Sequence, residues 1–219
     1  AMLIAVLITI GLQGNAQTES RITRYNYFFL EAIRQQEMGN LAAAFALLNH
    51  ARDINPKAPE VYYEIAGYYV AMQNSKAARY NFEQAAKLAP DNSTYLEKLG
   101  QFYISQNNYE DALTTYEQLY TSNKTREDVL QILYQLYGAQ NNYKKMIEMI
   151  ERMELLSGAS EQLSLTKMQI YEQMGDKRKA QAELLRLVQK NPLELNYRVM
   201  LGNWLLQNNK KKEAYNEYQ

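Results

Sequence analysis

Residues able to carry acid–base or metal chemistry are few in this chain, and their spacing does not serve that chemistry. Among 219 residues there is one histidine, His50, and no cysteine. Histidine pairs, thiolate nucleophiles, thiolate zinc sites and disulfides are therefore excluded. No HExxH, GxSxG or glycine-rich phosphate loop occurs. The carboxylates are scattered without metal-ligand spacing and read as solvated surface. His50 reads as a surface side chain with no base or nucleophile beside it. The lysine run NKKKEA at 209–214 reads as a solvated turn, because the interleaved arginines and aromatics of a nucleic-acid grip are missing. A formal net charge of zero gives no electrostatic reason for nucleic acid or an acidic membrane as partner. The 19 tyrosines could stack on sugars, but most fall where their spacing makes them packing residues. The expectation is a chain with no catalytic site, no cofactor, no metal and no small-molecule substrate.

What organises these residues is a period of 34. Ala44, Ala78, Ala112, Ala180 and Ala214 share one column, with Met146 in the remaining slot. Four residues on stand Leu48, Phe82, Tyr116, Ile150, Leu184 and Tyr218, and upstream are Tyr69, Tyr103, Tyr137 and Tyr171. The register needs no insertion from residue 25 to 219. Each copy reads as two amphipathic helices. In the third, Leu96, Leu99, Gly100 and Tyr103 share a face by the i, i+3, i+4, i+7 rule, and QNN at 106–108 makes the turn. Tyr109, Ala112, Leu113 and Tyr116 form the second helix's face. Small residues at Gly100 and Ala112 let the helices approach, and the rings fill the space beside them. Scarce glycine and proline (9 and 4) suit helices joined by short turns.

The 34-residue unit, with Leu99-Gly100, Tyr103, Ala112 and Tyr116 in the third copy, resembles the tetratricopeptide repeat. The resemblance covers residues 25–219. It implies an all-α fold, a right-handed superhelical solenoid of antiparallel helix pairs, with repeats 25–58, 59–92, 93–126, 127–160, 161–194 and an incomplete 195–219. It also implies that first helices line a concave groove. Carried onto this sequence, the groove positions include Glu60, Tyr63, Glu64 and Gly67 in the second repeat. The third repeat adds Glu97, Lys98, Gln101 and Ile104. The fourth adds Asp128, Gln131, Ile132 and Gln135, and the fifth Leu165 and Gln169. Over all six repeats the groove columns hold six carboxylates, the others being Glu37 and Glu172, against one lysine. That balance of −5 predicts a mildly acidic groove. A known family use, clamping a peptide's terminal carboxylate, needs Lys, Arg and Asn in columns that here hold Phe29, Ile33, Glu64, Thr94 and Lys98. That role is rejected.

Some positions depart from the pattern. Tyr134 and Met146 replace small residues in repeat four, predicting wider helix spacing and a local change of curvature. Lys167 stands in an apolar column and is expected to snorkel to solvent. Tyr215 and Tyr218 in the last repeat lack the polar covering helix that normally closes a solenoid.

Residues 1–17 stand apart. MLIAVLITIGLQGNAQ is apolar and uncharged from Met2 to Leu12 and ends in small residues, as a secretory signal cleaved after Ala16 does. The expected location is the periplasm or cell envelope, without a lipid anchor; an uncleaved N-terminal membrane anchor is the alternative. The expected function is a non-catalytic scaffold holding a protein or peptide segment, neutral or basic, in the Gln/Asn/Tyr-containing groove. Two alternatives stay open: a self-assembling array through the C-terminal repeat, or the regulatory part of a longer protein continuing beyond residue 219.

Overall fold

The computed structural model describes the backbone of residues 2–218 and the side chains of 18–218. Every regular element described is a helix. They are α1 (Met2–Glu37), α2 (Leu41–Ile54), α3 (Pro59–Ala71), α4 (Ser75–Leu88), α5 (Ser93–Ser105), α6 (Tyr109–Ser122), α7 (Glu127–Ala139), α8 (Tyr143–Ser157), α9 (Glu161–Gln173), α10 (Lys177–Lys190), α11 (Leu195–Gln207) and α12 (Lys211–Tyr218). The fold is an all-α solenoid of helix pairs. It forms two compact units, residues 1–122 and 123–219. The side chains of the apolar N-terminal segment, including those before the expected cleavage site after Ala16, lie outside the described residues, and nothing in the structure tests that cleavage. Among those described, no helix is long and apolar enough to cross a membrane.

The hairpin turns show why the period holds so strictly. The second residue after each first helix has positive φ: Gly39, Gln73, Asn107, Asn141, Gly175 and Asn209, each 34 from the next. Glycine and asparagine tolerate this left-handed backbone best, and it reverses the chain within three residues. The following residue often caps the second helix. Asn74, Asn142 and Asp176 accept hydrogen bonds from the backbone N–H groups of Ala77, Lys145 and Lys179. Each such cap satisfies a helix N–H that would otherwise lack a partner.

Within a pair, the helices meet across two columns of matched size. Ala44, Ala78, Ala112, Ala180 and Ala214 are wholly buried. The second contact sets Gly100 and Gly202 on first helices against Tyr116 and Tyr218 on their partners, and the equivalent Ala32 and Leu48 share the first core. Glycine stands where the partner is tyrosine. A Cβ on Gly100 would lie 2.7 Å from the Tyr116 ring, and one on Gly202 would lie 2.5 Å from the Tyr218 ring. Repeat four solves the same problem differently. A Cβ on Gly138 would meet Met146 Cε at 3.4 Å, so this glycine takes up the volume that the larger Met146 introduces.

Each unit has its own core. Tyr25, Ala32, Leu48, Ala51, Val61 and Ile65 pack together in the first. Ile147, Ile150, Ile170, Leu184, Leu187, Leu201, Trp204 and Leu205 pack in the second, with Tyr134 and Met168 against them.

Two expectations are corrected here. Lys167 does not snorkel. It is buried, with Nζ 2.9 Å from both Glu154 Oε2 and Glu183 Oε1, and Arg186 closes a four-charge network at 3.2 Å and 3.4 Å from the same carboxylates. Two opposite pairs meet there, so no net charge is buried. Tyr109 is not a packing residue: it is exposed and its hydroxyl donates to Asn107 Oδ1. Tyr215 and Tyr218 are both exposed, as expected, although the Tyr218 ring lies over Gly202 of its own hairpin and its hydroxyl donates to Asn203 Oδ1 at 2.8 Å.

Two stability outcomes follow from this packing. Gly100→Ala should destabilise the chain by about 1–3 kcal/mol through overpacking against the buried Tyr116 ring. In a double-mutant cycle by urea unfolding, Tyr116→Leu, which recreates the Ala/Leu pair of the first repeat, should recover part of that loss. Lys167→Ala should cost about 3 kcal/mol, since two buried carboxylates would be left with Arg186 alone.

Candidate binding groove

In the first unit, α1, α3 and α5 are the first helices of successive repeats, and the gaps between them are concave. Two cavities occupy those gaps. The larger, about 440 Å³, lies between α3 and α5 and is lined by Tyr63, Glu64, Gly67, Val70, Phe82, Lys98, Gln101, Phe102 and Ser105. The second, about 250 Å³, lies beside the end of α1 and is lined by Gln36, Leu41, Glu64, Gly67, Tyr68 and Ala71. Glu64 and Gly67, one helical turn apart on α3, belong to both.

Gly67 opens the passage between them. It is exposed, and a Cβ built there would meet nothing within 4 Å. Unlike Gly100, its lack of a side chain serves no helix contact.

Glu64 is flanked on one side. Tyr68 donates its hydroxyl to Gln36 Oε1 at 2.9 Å, and the Gln36 side chain stands beside the Glu64 carboxylate. Burial raises the Glu64 carboxyl pKa above the usual range, and the Gln36 amide offsets this only in part. The hydroxyls of Tyr63 and Tyr68 are raised by burial first and by the Glu64 charge second. A neutral amide beside it leaves the negative field of Glu64 reaching into the groove.

Aromatic rings make the rest of the larger cavity. Tyr63 meets Phe82 edge-on at 6.3 Å and Tyr95 at 5.1 Å, and Phe82 meets Phe102 at 5.5 Å. Lys98 stands on α5 with Nζ 3.5 Å from Gln101 Oε1.

Of the residues expected in the groove, the larger cavity brings together Tyr63, Glu64, Gly67, Lys98 and Gln101. Glu60 accepts the Tyr25 hydroxyl, so it serves the contact of α3 with α1. Glu97 and Ile104 are half-buried on α5, outside both sets of lining residues. The other candidates belong to the second unit. There Gln131, Gln135 and Gln169 are exposed, while Ile132 and Leu165 are half-buried, Leu165 against the second core. Asp128 pairs with the neighbouring Arg126, which holds its carboxyl below the usual range. Glu172 accepts the indole N–H of Trp204. Part of the acidity counted from the sequence therefore has structural employment.

Gln36, Val70, Ala71 and Ser105, which also fall in the groove columns, line the cavities too, whereas Phe82, Phe102, Tyr68 and Leu41 complete the lining from outside those columns. Tyr68, Phe102 and Trp204 share one column of the repeat, and that run of rings was the available signal. Phe82 reaches the cavity from a second helix because it is larger than Leu48 in the same column.

A stack of antiparallel helix pairs repeating every 34 residues defines a repeat solenoid. The tetratricopeptide-repeat family model matches residues 63–126, and the twelve helices described fit about six tandem repeats of that kind. No curated protein sequence matches it. Among solved structures, a tetratricopeptide repeat protein from Parabacteroides merdae ATCC 43184 is similar at 17% identity, TM-score 0.57, over 89% of this chain and 77% of that one. YrrB, described as a TPR protein with an unusual peptide-binding site, is similar at 15% identity, TM-score 0.55, over 78% of this chain and 88% of that one. A chain in the structure of Naa15/Naa10 bound to HypK-THB is similar at 14% identity, TM-score 0.66, over 89% of this chain and 31% of that one. These likenesses show the fold, one that commonly mediates protein–protein interaction.

Because Gly67 sits mid-helix with open space around it, Gly67→Ala should stabilise the chain by about 0.5–1 kcal/mol through helix propensity alone. Thermal or urea unfolding would measure this, and a destabilisation would show that the glycine has a packing role.

Proposed function

We propose that this chain is a non-catalytic protein–protein interaction scaffold whose groove over α1, α3 and α5 holds a segment of a partner protein. The observation that carries the reading is the pair of adjoining cavities sharing Glu64 and Gly67. Aromatic walls at Tyr63, Phe82 and Phe102 supply apolar contact, and the amides of Gln36 and Gln101 supply hydrogen bonds to an extended backbone. The apolar stretch 2–12 followed by Gly14-Asn15-Ala16 supports export to the periplasm or cell envelope as part of the same proposal.

A photo-crosslinking residue placed at Gly67, and separately at the exposed His50 on α2, tests the groove in cells. The expected outcome is a protein adduct formed from position 67 and absent from position 50. Adducts of equal yield at both positions, or none at 67, would remove the groove reading. The mass of the mature N-terminus tests export: cleavage after Ala16 is expected, and an intact Met2–Gln17 segment in an envelope-localised chain would make it an anchor.

A further inference from the structure

The two cavities differ in charge, and that difference specifies what each can hold. The α3–α5 cavity has Glu64 on one wall and Lys98 on the other, with Tyr63, Val70, Phe82 and Phe102 between them. The cavity beside α1 has one charged lining residue, Glu64; the rest are Gln36, Leu41, Gly67, Tyr68 and Ala71.

We propose that the smaller cavity is a recognition pocket for one lysine or arginine side chain of the bound segment, with Glu64 as the residue that selects it. This rests on the groove reading above and names the chemistry of the partner within it. The methylene stem of such a side chain would run over Gly67, Ala71 and the exposed Leu41, the kind of contact long basic side chains make while their charged end finds a polar partner. Its cation would reach the Glu64 carboxylate beside the Tyr68 ring, where ion pairing and a cation–π contact act together. One wall of the pocket is already ordered, because Tyr68 holds the Gln36 amide beside Glu64. Little ordering is left for binding to cost. A carboxylate with a neutral amide beside it favours a cation over a neutral side chain and rejects an acidic one. The adjoining aromatic cavity then takes an apolar side chain of the same segment. Neighbouring first helices are roughly 8–10 Å apart, which an extended segment crosses in about three residues.

The test uses the full chain and fluorescein-labelled nine-residue peptides in a serine/alanine background. Each carries one leucine and, one to four residues away, a lysine, arginine, acetyl-lysine or glutamate. Fluorescence anisotropy reads the affinities. The best lysine or arginine peptide should bind at least tenfold more tightly than its acetyl-lysine or glutamate counterpart. Glu64→Gln, which keeps the shape and the Gln36 contact, should reduce the lysine-over-acetyl-lysine preference to less than twofold while leaving acetyl-lysine binding unchanged. Lys98→Gln should leave the preference in place, and Gly67→Met, which fills the passage, should weaken every peptide at least tenfold. Equal binding of lysine and acetyl-lysine peptides, a preference for glutamate, or a preference that survives Glu64→Gln would overturn the basic pocket. If Gly67→Met still abolishes binding in those cases, the groove reading stands without it. Binding indifferent to Gly67→Met, or no binding by any peptide, would overturn both. Circular dichroism of the Glu64→Gln and Gly67→Met chains confirms that each remains helical.

Discussion

The close approach of two helices within each repeat is the constraint on which the other features depend. It requires a small residue on one helix wherever the other presents a large one. Gly100 against Tyr116 and Gly202 against Tyr218 are its sharpest cases, since a single methyl group at either glycine would collide with the ring. A first helix drawn tightly onto its partner keeps its remaining face clear. In the first unit that free face of α1, α3 and α5 becomes the groove wall. On α3 the division falls between neighbours: Ala66 is wholly buried, and Gly67 is exposed beside both cavities.

Charge placement follows a similar division. In the second unit Lys167, Glu154, Glu183 and Arg186 satisfy one another around the buried lysine, and Asp128 and Glu172 have partners nearby. In the first unit Glu60 is engaged by Tyr25. Glu60 and Glu172 also meet neutral donors, but Glu64 differs from them in lining both cavities of the first unit.

The repeat period, the two-helix unit and the small-residue columns were all legible from residue identities, because packing at a fixed spacing writes the same residue type at the same interval. Lys167 was misjudged for a related reason. Its own column argued for an apolar neighbourhood, while the groups that bury it, Glu154, Glu183 and Arg186, come from other columns and other helices. Column positions also named Tyr63, Glu64, Gly67, Lys98 and Gln101, but not Phe82, which enters from α4 by side-chain length alone. The left-handed turn residues were half visible: asparagine and glycine announce the backbone at five of the six turns, whereas Gln73 carries no such mark.

Pairing between sequence neighbours has a mechanical side. Within each unit every helix packs chiefly on the one before and the one after it, so few contacts join distant parts of the chain. Such a fold can nucleate in one hairpin and grow outward, because closing each short loop costs little entropy before the contact is gained. Under tension it would come apart the same way, one hairpin peeling after another instead of the whole giving way at once. A partner lying across α1, α3 and α5 would staple three hairpins together, and the loaded groove would resist a pull that the empty one yields to.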